Sequence, residues 1–67
     1  LTEQLDAMEY LLWLKFTQNI FKDKLLSTGD IELIEYNYWG DKFWGVCNGE
    51  GKNHLGKLLM KIREQLS

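Results

Sequence analysis

Apolar residues recur at helical spacing near both ends of the chain. Leu5, Met8, Leu12 and Phe16 share one face, and Leu11 and Trp13 widen that stripe, which predicts a helix over residues 3–18 buried on a broad side. Thr2 is placed to cap it, with Glu3 and Asp6 suited to its first turn. Gln18-Asn19 interrupts the pattern, Asn19 is placed to cap a second helix over about 20–27, and Gly29 follows as a stop. The last helix has the cleanest pattern: Leu55, Leu58, Leu59, Ile62 and Leu66 line one face from about 52 to 66, with Lys57, Lys61 and Glu64 opposite.

The middle is different. Ile31, Leu33, Ile34 and Tyr36 keep no single period, so a short strand and an irregular buried segment are both open. Residues 37–51 hold four glycines and two asparagines among their aromatics, which reads as a long loop. Loops of this length are functional or disordered, and the bulky rings favour function. The expected architecture is mainly α: a small orthogonal arrangement of three helices, with at most one short strand and a long aromatic and glycine-rich loop.

A chain of 67 residues makes at most one small domain, and such domains bury only about 60% of their unfolded surface. Cys47 stands alone, so no internal disulfide staples the fold. A lone cysteine fits a reducing, cytoplasmic compartment. Structural zinc needs four ligands, and Cys47 and His54 are the only Cys/His candidates, so no metal site is expected. Three Trp, three Tyr and three Phe are a heavy aromatic load for so little interior. Together with a start at Leu1, they point to part of a larger domain or to rings that form a ligand site. Residues 1–35 carry seven acidic and three basic side chains, whereas residues 36–67 carry three acidic and five basic. That is too mild for a dedicated nucleic-acid binder but favours a diphosphate. No apolar run reaches the 18 or so residues of a membrane span.

Candidate chemistry concentrates between Asp41 and Arg63. A carboxylate (Asp41) and two rings (Phe43, Trp44) precede Gly49-x-Gly51, and that turn opens onto the last helix through Lys52 and Asn53. Free N–H groups at a helix start attract anions, and glycines let a ligand approach the backbone. The order suits a phosphorylated ligand that also carries a ring. The segment matches neither a P-loop nor a dinucleotide fingerprint. Asn53 is open to a capping role, a ligand contact or both, and Gly56 costs the helix roughly 1 kcal/mol relative to Ala unless something packs closely there.

The pattern Phe43-Trp44-Gly45, Gly49-x-Gly51-x-Asn53-x-Leu55-Gly56-x-x-Leu59-Met60-x-Ile62-Arg63 resembles the C-terminal half of the NADAR family. Upstream, Lys15-Phe16-Thr17-Gln18-Asn19, Leu25-Leu26-Ser27-Thr28-Gly29-Asp30 and Leu33-Ile34-Glu35 resemble it in the same order, so the likeness runs from about Met8 to Leu66. The resemblance implies a largely helical domain about twice this length, whose first half has no counterpart here. It also implies cleavage of an N-glycosidic bond to ribose, in ADP-ribosylated guanine or in a phosphorylated riboflavin-pathway intermediate. Water can accept the ribosyl group, so no cofactor is implied.

Under that resemblance Asp41 and Glu35 become the candidate catalytic carboxylates, stabilising positive charge at the anomeric carbon or activating the nucleophile. The other readings are a solvated loop aspartate and a paired structural glutamate. Trp44, Gly45, Gly49, Gly51, Lys52 and Asn53 become the candidate ligand wall. Trp44, with Trp39, Tyr36, Tyr38 and Phe43, either stacks on a base or fills a core. Lys15 reads as a structural or surface lysine against a Schiff-base role, and Arg63 as a partner for a carboxylate or a helix end. The expected partner is an ADP-ribose-like or nucleotide ligand, including ADP-ribosylated nucleic acid, with the missing half or a second chain completing the site. A non-catalytic ADP-ribose, nucleotide or protein-interaction module is the alternative.

Overall fold

A computed structural model describes residues 2–67. Its elements run α1 (Thr2–Phe16), α2 (Asn19–Leu26), β1 (Tyr36–Asn37), β2 (Val46–Cys47) and α3 (His54–Leu66). The mainly α expectation holds, and the helix limits fall within two residues of those expected. Thr2, expected to cap α1, is the first described residue and is itself helical. Asn19 is likewise the first residue of α2 rather than its cap. The chain reverses in two residues: Thr17 N–H closes on Trp13 O, Gln18 N–H on Lys15 O, and extended Gln18 takes the cap position without a side-chain bond.

The core is small. Leu25 of α2 packs with Leu59 and the fully buried Ile62 of α3, and Leu12, Phe16, Leu33, Leu55 and Leu66 close around them. The stripe expected on α1 is only partly covered. Leu5, Met8, Leu12 and Phe16 are half-buried, and no residue of α1 is fully buried. Leu11, assigned to the buried face, is 60% exposed, and Trp13, Tyr10 and Leu14 are exposed beside it. Among the described residues α1 packs only against α2 and α3, so its far side has no element to pack against.

Residues 31–35 form no regular secondary structure. Instead α3 holds them by its side chains. Asn53 Nδ2 donates to Leu33 O (2.9 Å) and its Oδ1 accepts from Glu35 N–H (2.9 Å). Arg63 Nη1 donates to Ile31 O (2.8 Å) and to the Thr28 hydroxyl (2.9 Å), which ties down the exit from α2. Leu33 N–H donates to Met60 Sδ (3.4 Å). Only Tyr36 and Asn37 form a strand, parallel to Val46 and Cys47 inside the stretch expected to be loop. The strand begins where the α3 clamp ends, because Val46 N–H then reaches Glu35 O (2.8 Å).

Candidate functional site

The loop 38–45 connects two parallel strands in only eight residues, and its shape is set by two short side chains. Asp41 Oδ1 accepts from the N–H groups of Phe43 (3.1 Å) and Trp44 (2.9 Å), a turn closed by the aspartate itself. Asn37, which the sequence reading passed over, holds the same turn from the strand side. Its Oδ1 accepts from Asp41 N–H (2.9 Å), and its Nδ2 donates to Asp41 O (2.8 Å) and Val46 O (3.3 Å). Asn37 thus holds Asp41 by the aspartate's backbone alone, and Glu35, the other carboxylate singled out, enters this region through its backbone, its C=O accepting from Val46 N–H.

The loop then docks on the start of α3. Lys52 N–H donates to Lys42 O (2.8 Å), His54 N–H to Phe43 O (3.1 Å), Leu55 N–H to Trp44 O (2.9 Å) and Asn53 N–H to Gly45 O (3.3 Å). This corrects the expectation of an open anion nest. The backbone donors at residues 52–55 are satisfied by loop carbonyls, so they fix the loop rather than face a ligand. Asn53 departs from its expected capping role for a related reason. It sits at the cap position in a left-handed conformation (φ 54°, ψ 41°), makes no side-chain cap bond, and is 8% exposed with its amide turned to Leu33 and Glu35.

The glycines of the candidate wall answer to protein backbone. A Cβ on Gly45 would collide with Glu35 O and the Asn37 amide, one on Gly51 with Gly45 O, and one on Gly56 with Leu33 O and the Asn53 side chain. Gly49 belongs to a tight hairpin turn. Asn48 and Gly49 both have positive φ (52° and 79°), and Cys47 and Glu50 exchange both backbone hydrogen bonds (2.7 and 3.0 Å). The Asn-Gly pair is the sequence signal for such a primed turn.

The aromatic residues split into two groups. Phe43 and Trp44 meet edge to face (centroids 4.7 Å, 87°), and Phe43 also packs on the His54 ring (4.6 Å), all three half-buried. Tyr38 and Trp39 form an edge-to-face pair (5.2 Å) and, like Tyr36, stand in solvent, Tyr38 at 90% exposure. The cluster is thus neither one core nor one stacking platform. Lys52 is exposed, and Lys42 pairs with Glu50 at 3.0 Å on the surface. Lys15 is exposed, its ammonium 5.0 Å from the Phe21 ring centroid. Cys47 is a buried thiol. Among the described residues no group of three or more His, Cys, Asp or Glu side chains is gathered to hold a metal ion.

Two concavities lie away from this loop. One of about 430 Å³ is lined by Leu26, Gly29, Asp30, Met60, Arg63 and Glu64 at the junction of α2 and α3. Another of about 390 Å³ is lined by Glu9, Tyr10, Trp13 and Gln65, between α1 and the end of α3. Neither includes a residue of the 41–53 segment.

The NADAR domain model matches residues 2–67, and the chain belongs to the NADAR family. It is 42% identical over 65 residues to a riboflavin biosynthesis protein of Vibrio vulnificus (strain YJ016), covering 94% of this chain and 17% of that protein. It is 42% identical over 66 residues to the N-glycosidase YbiA of Escherichia coli (strain K12), covering 91% of this chain and 39% of the relative. An N-glycosidase of Nostoc punctiforme is 50% identical over 46 residues, covering 67% of this chain and 29% of its own. The chain therefore spans well under half the length of these relatives. No solved structure matches it. Among the described residues no helix is long and apolar enough to cross a membrane.

Proposed function

We propose that this chain forms one wall of the active site of an N-glycosidase that acts on ADP-ribosyl or related ribosyl-phosphate bonds, such as ADP-ribosylated guanine or a riboflavin-pathway intermediate. The observation that carries the reading is the turn that fixes Asp41 between Asn37 and the N–H of the half-buried Trp44. Relatives named N-glycosidases, 42–50% identical over the matched stretch, support it. In the reaction the bond between the ribose anomeric carbon and the base nitrogen breaks. Water oxygen bonds to that carbon, and its proton balances the leaving nitrogen. A carboxylate beside the anomeric carbon stabilises the developing cation. Trp44 supplies a ring edge for the base and Lys52 a cation for the phosphates, while Gly45, Gly49, Gly51 and Asn53 hold the wall in shape.

One observation favours a second reading, a non-catalytic module that binds ADP-ribose or a nucleotide. Asp41 Oδ1 is already committed to two backbone N–H groups. Asp41→Asn separates the two, because an amide oxygen still closes the turn while the charge is lost. The variant is made at the aligned aspartate of the intact E. coli relative. Catalysis requires turnover to fall about a hundredfold or more with ligand binding kept. Unchanged turnover removes Asp41 from the reaction.

A further inference from the structure

Only Tyr36–Asn37 of the segment 31–37 is strand, but the hydrogen bonds along it alternate as on an extended chain, with one edge occupied and the other open. On an extended chain the N–H and C=O of one residue point to the same side, and successive residues alternate. Every bond the segment makes inward comes from odd positions. Ile31 O takes Arg63, Leu33 takes Asn53 and Met60, Glu35 takes Asn53 and Val46, and Asn37 pairs with Cys47 across the sheet. The N–H and C=O groups of Glu32 and Ile34 make no hydrogen bond among the described residues. The Tyr36–Val46 register, with Val46 N–H on Glu35 O, turns Tyr36 outward as well. Three successive outward residues thus present a row of donors and acceptors at the spacing of a β ladder. Such an edge is a template for another strand.

We infer that this outer edge receives a β-strand from the part of the NADAR polypeptide that these 67 residues do not match in the longer relatives. Three observations select that occupant. The match covers only 39% of the E. coli relative, so most of that protein lies beyond it. The open edge is accompanied by the uncovered face of α1 (Tyr10, Leu11, Trp13, Leu14) and by a concavity lined by Tyr10 and Trp13. Among the described residues α1 meets only α2 and α3 and β1 meets only β2, so no element of this chain covers either surface. The inference rests on backbone geometry and family membership, not on the glycosidase reading, and its test reads protection and binding rather than turnover.

The test compares amide exchange in this chain alone with exchange at the aligned positions of the intact E. coli relative. It then adds the relative's unmatched portion, as a separate polypeptide, to this chain. The amides of Glu32, Ile34 and Tyr36 are expected to slow by about tenfold or more in the intact relative and in the mixed complex. Glu32→Pro and Ile34→Pro each delete one outward N–H that the isolated chain does not use. Both are expected to leave its helical circular dichroism unchanged and to weaken the complex at least about tenfold. Equal exchange at these amides in the chain and the intact relative overturns the inference, as does a complex indifferent to both prolines. Concentration-dependent protection in the chain alone overturns it too, and assigns the edge to a second copy.

Discussion

The side chain of Asn53 acts toward Glu35 as a neighbouring strand would, its Oδ1 accepting the Glu35 N–H at 2.9 Å while Nδ2 donates to Leu33 O at 2.9 Å. One buried amide thereby satisfies the inner edge of an extended segment that has no ladder there. The same residue is the hinge between loop and helix, held in a left-handed conformation (φ 54°) that asparagine tolerates better than most residues.

Replacing Asn53 with Ala removes both bonds and the polar side chain that lets asparagine tolerate the left-handed region. Leaving the part-buried backbone groups unpaired costs about 1–3 kcal/mol. A domain of this size has only a few kcal/mol in total. Urea unfolding is expected to lose its cooperative transition or to show a midpoint far below the parent's.

Gly56→Ala is a test of sign. On helix propensity alone the change stabilises by about 1 kcal/mol. The added Cβ would meet Leu33 O and both side-chain heteroatoms of Asn53, however, so a net loss of about 1–3 kcal/mol is expected. A raised melting temperature would show that the segment 33–35 does not approach α3 this closely.

Gly49 and Gly51 are expected to separate cleanly. A Cβ on Gly49 meets nothing within 4 Å, so Gly49→Ala carries only the positive-φ cost of about 1–2 kcal/mol. Gly51 (φ 149°) lies against Gly45 O and the Val46 Cα, so Gly51→Ala must displace β2 as well. Thermal melts should rank Gly51→Ala well below Gly49→Ala.

Asp41→Ala and Asp41→Asn are expected to differ in stability. Alanine frees the N–H groups of Phe43 and Trp44 and costs about 1–3 kcal/mol, whereas asparagine keeps the acceptor and costs under about 1 kcal/mol. Equal losses in chemical unfolding would mean that the carboxylate charge, not the turn, is what the fold uses.

Much of the fold was legible because helices advertise themselves by period. The α3 stripe places Leu59 and Ile62 in the core as read, and α2 falls within one residue of its expected limits. The hydrogen-bond wiring of the 37–53 segment was not legible. Asn37 gave no periodic or motif signal, since its role depends on Asp41 folding back onto it. The Asn48-Gly49 pair did carry a signal, that of a primed hairpin turn, and it lay unread inside a supposed phosphate nest.

From the residues alone came three helices, a stretch rich in glycine and aromatic rings between the second and third, and family membership. These are local properties, set by spacing, turn-forming side chains and motif order. Only the tertiary structure decided that the α3 N-terminus is closed by the carbonyls of residues 42–45, that Asn53 serves a strand instead of a cap, and that α1 leaves Leu11 and Tyr10 in solvent. Each of those depends on which distant group arrives to take a hydrogen bond or cover a surface. Such pairing is set by the packing of segments eight or more residues apart, which no local period encodes.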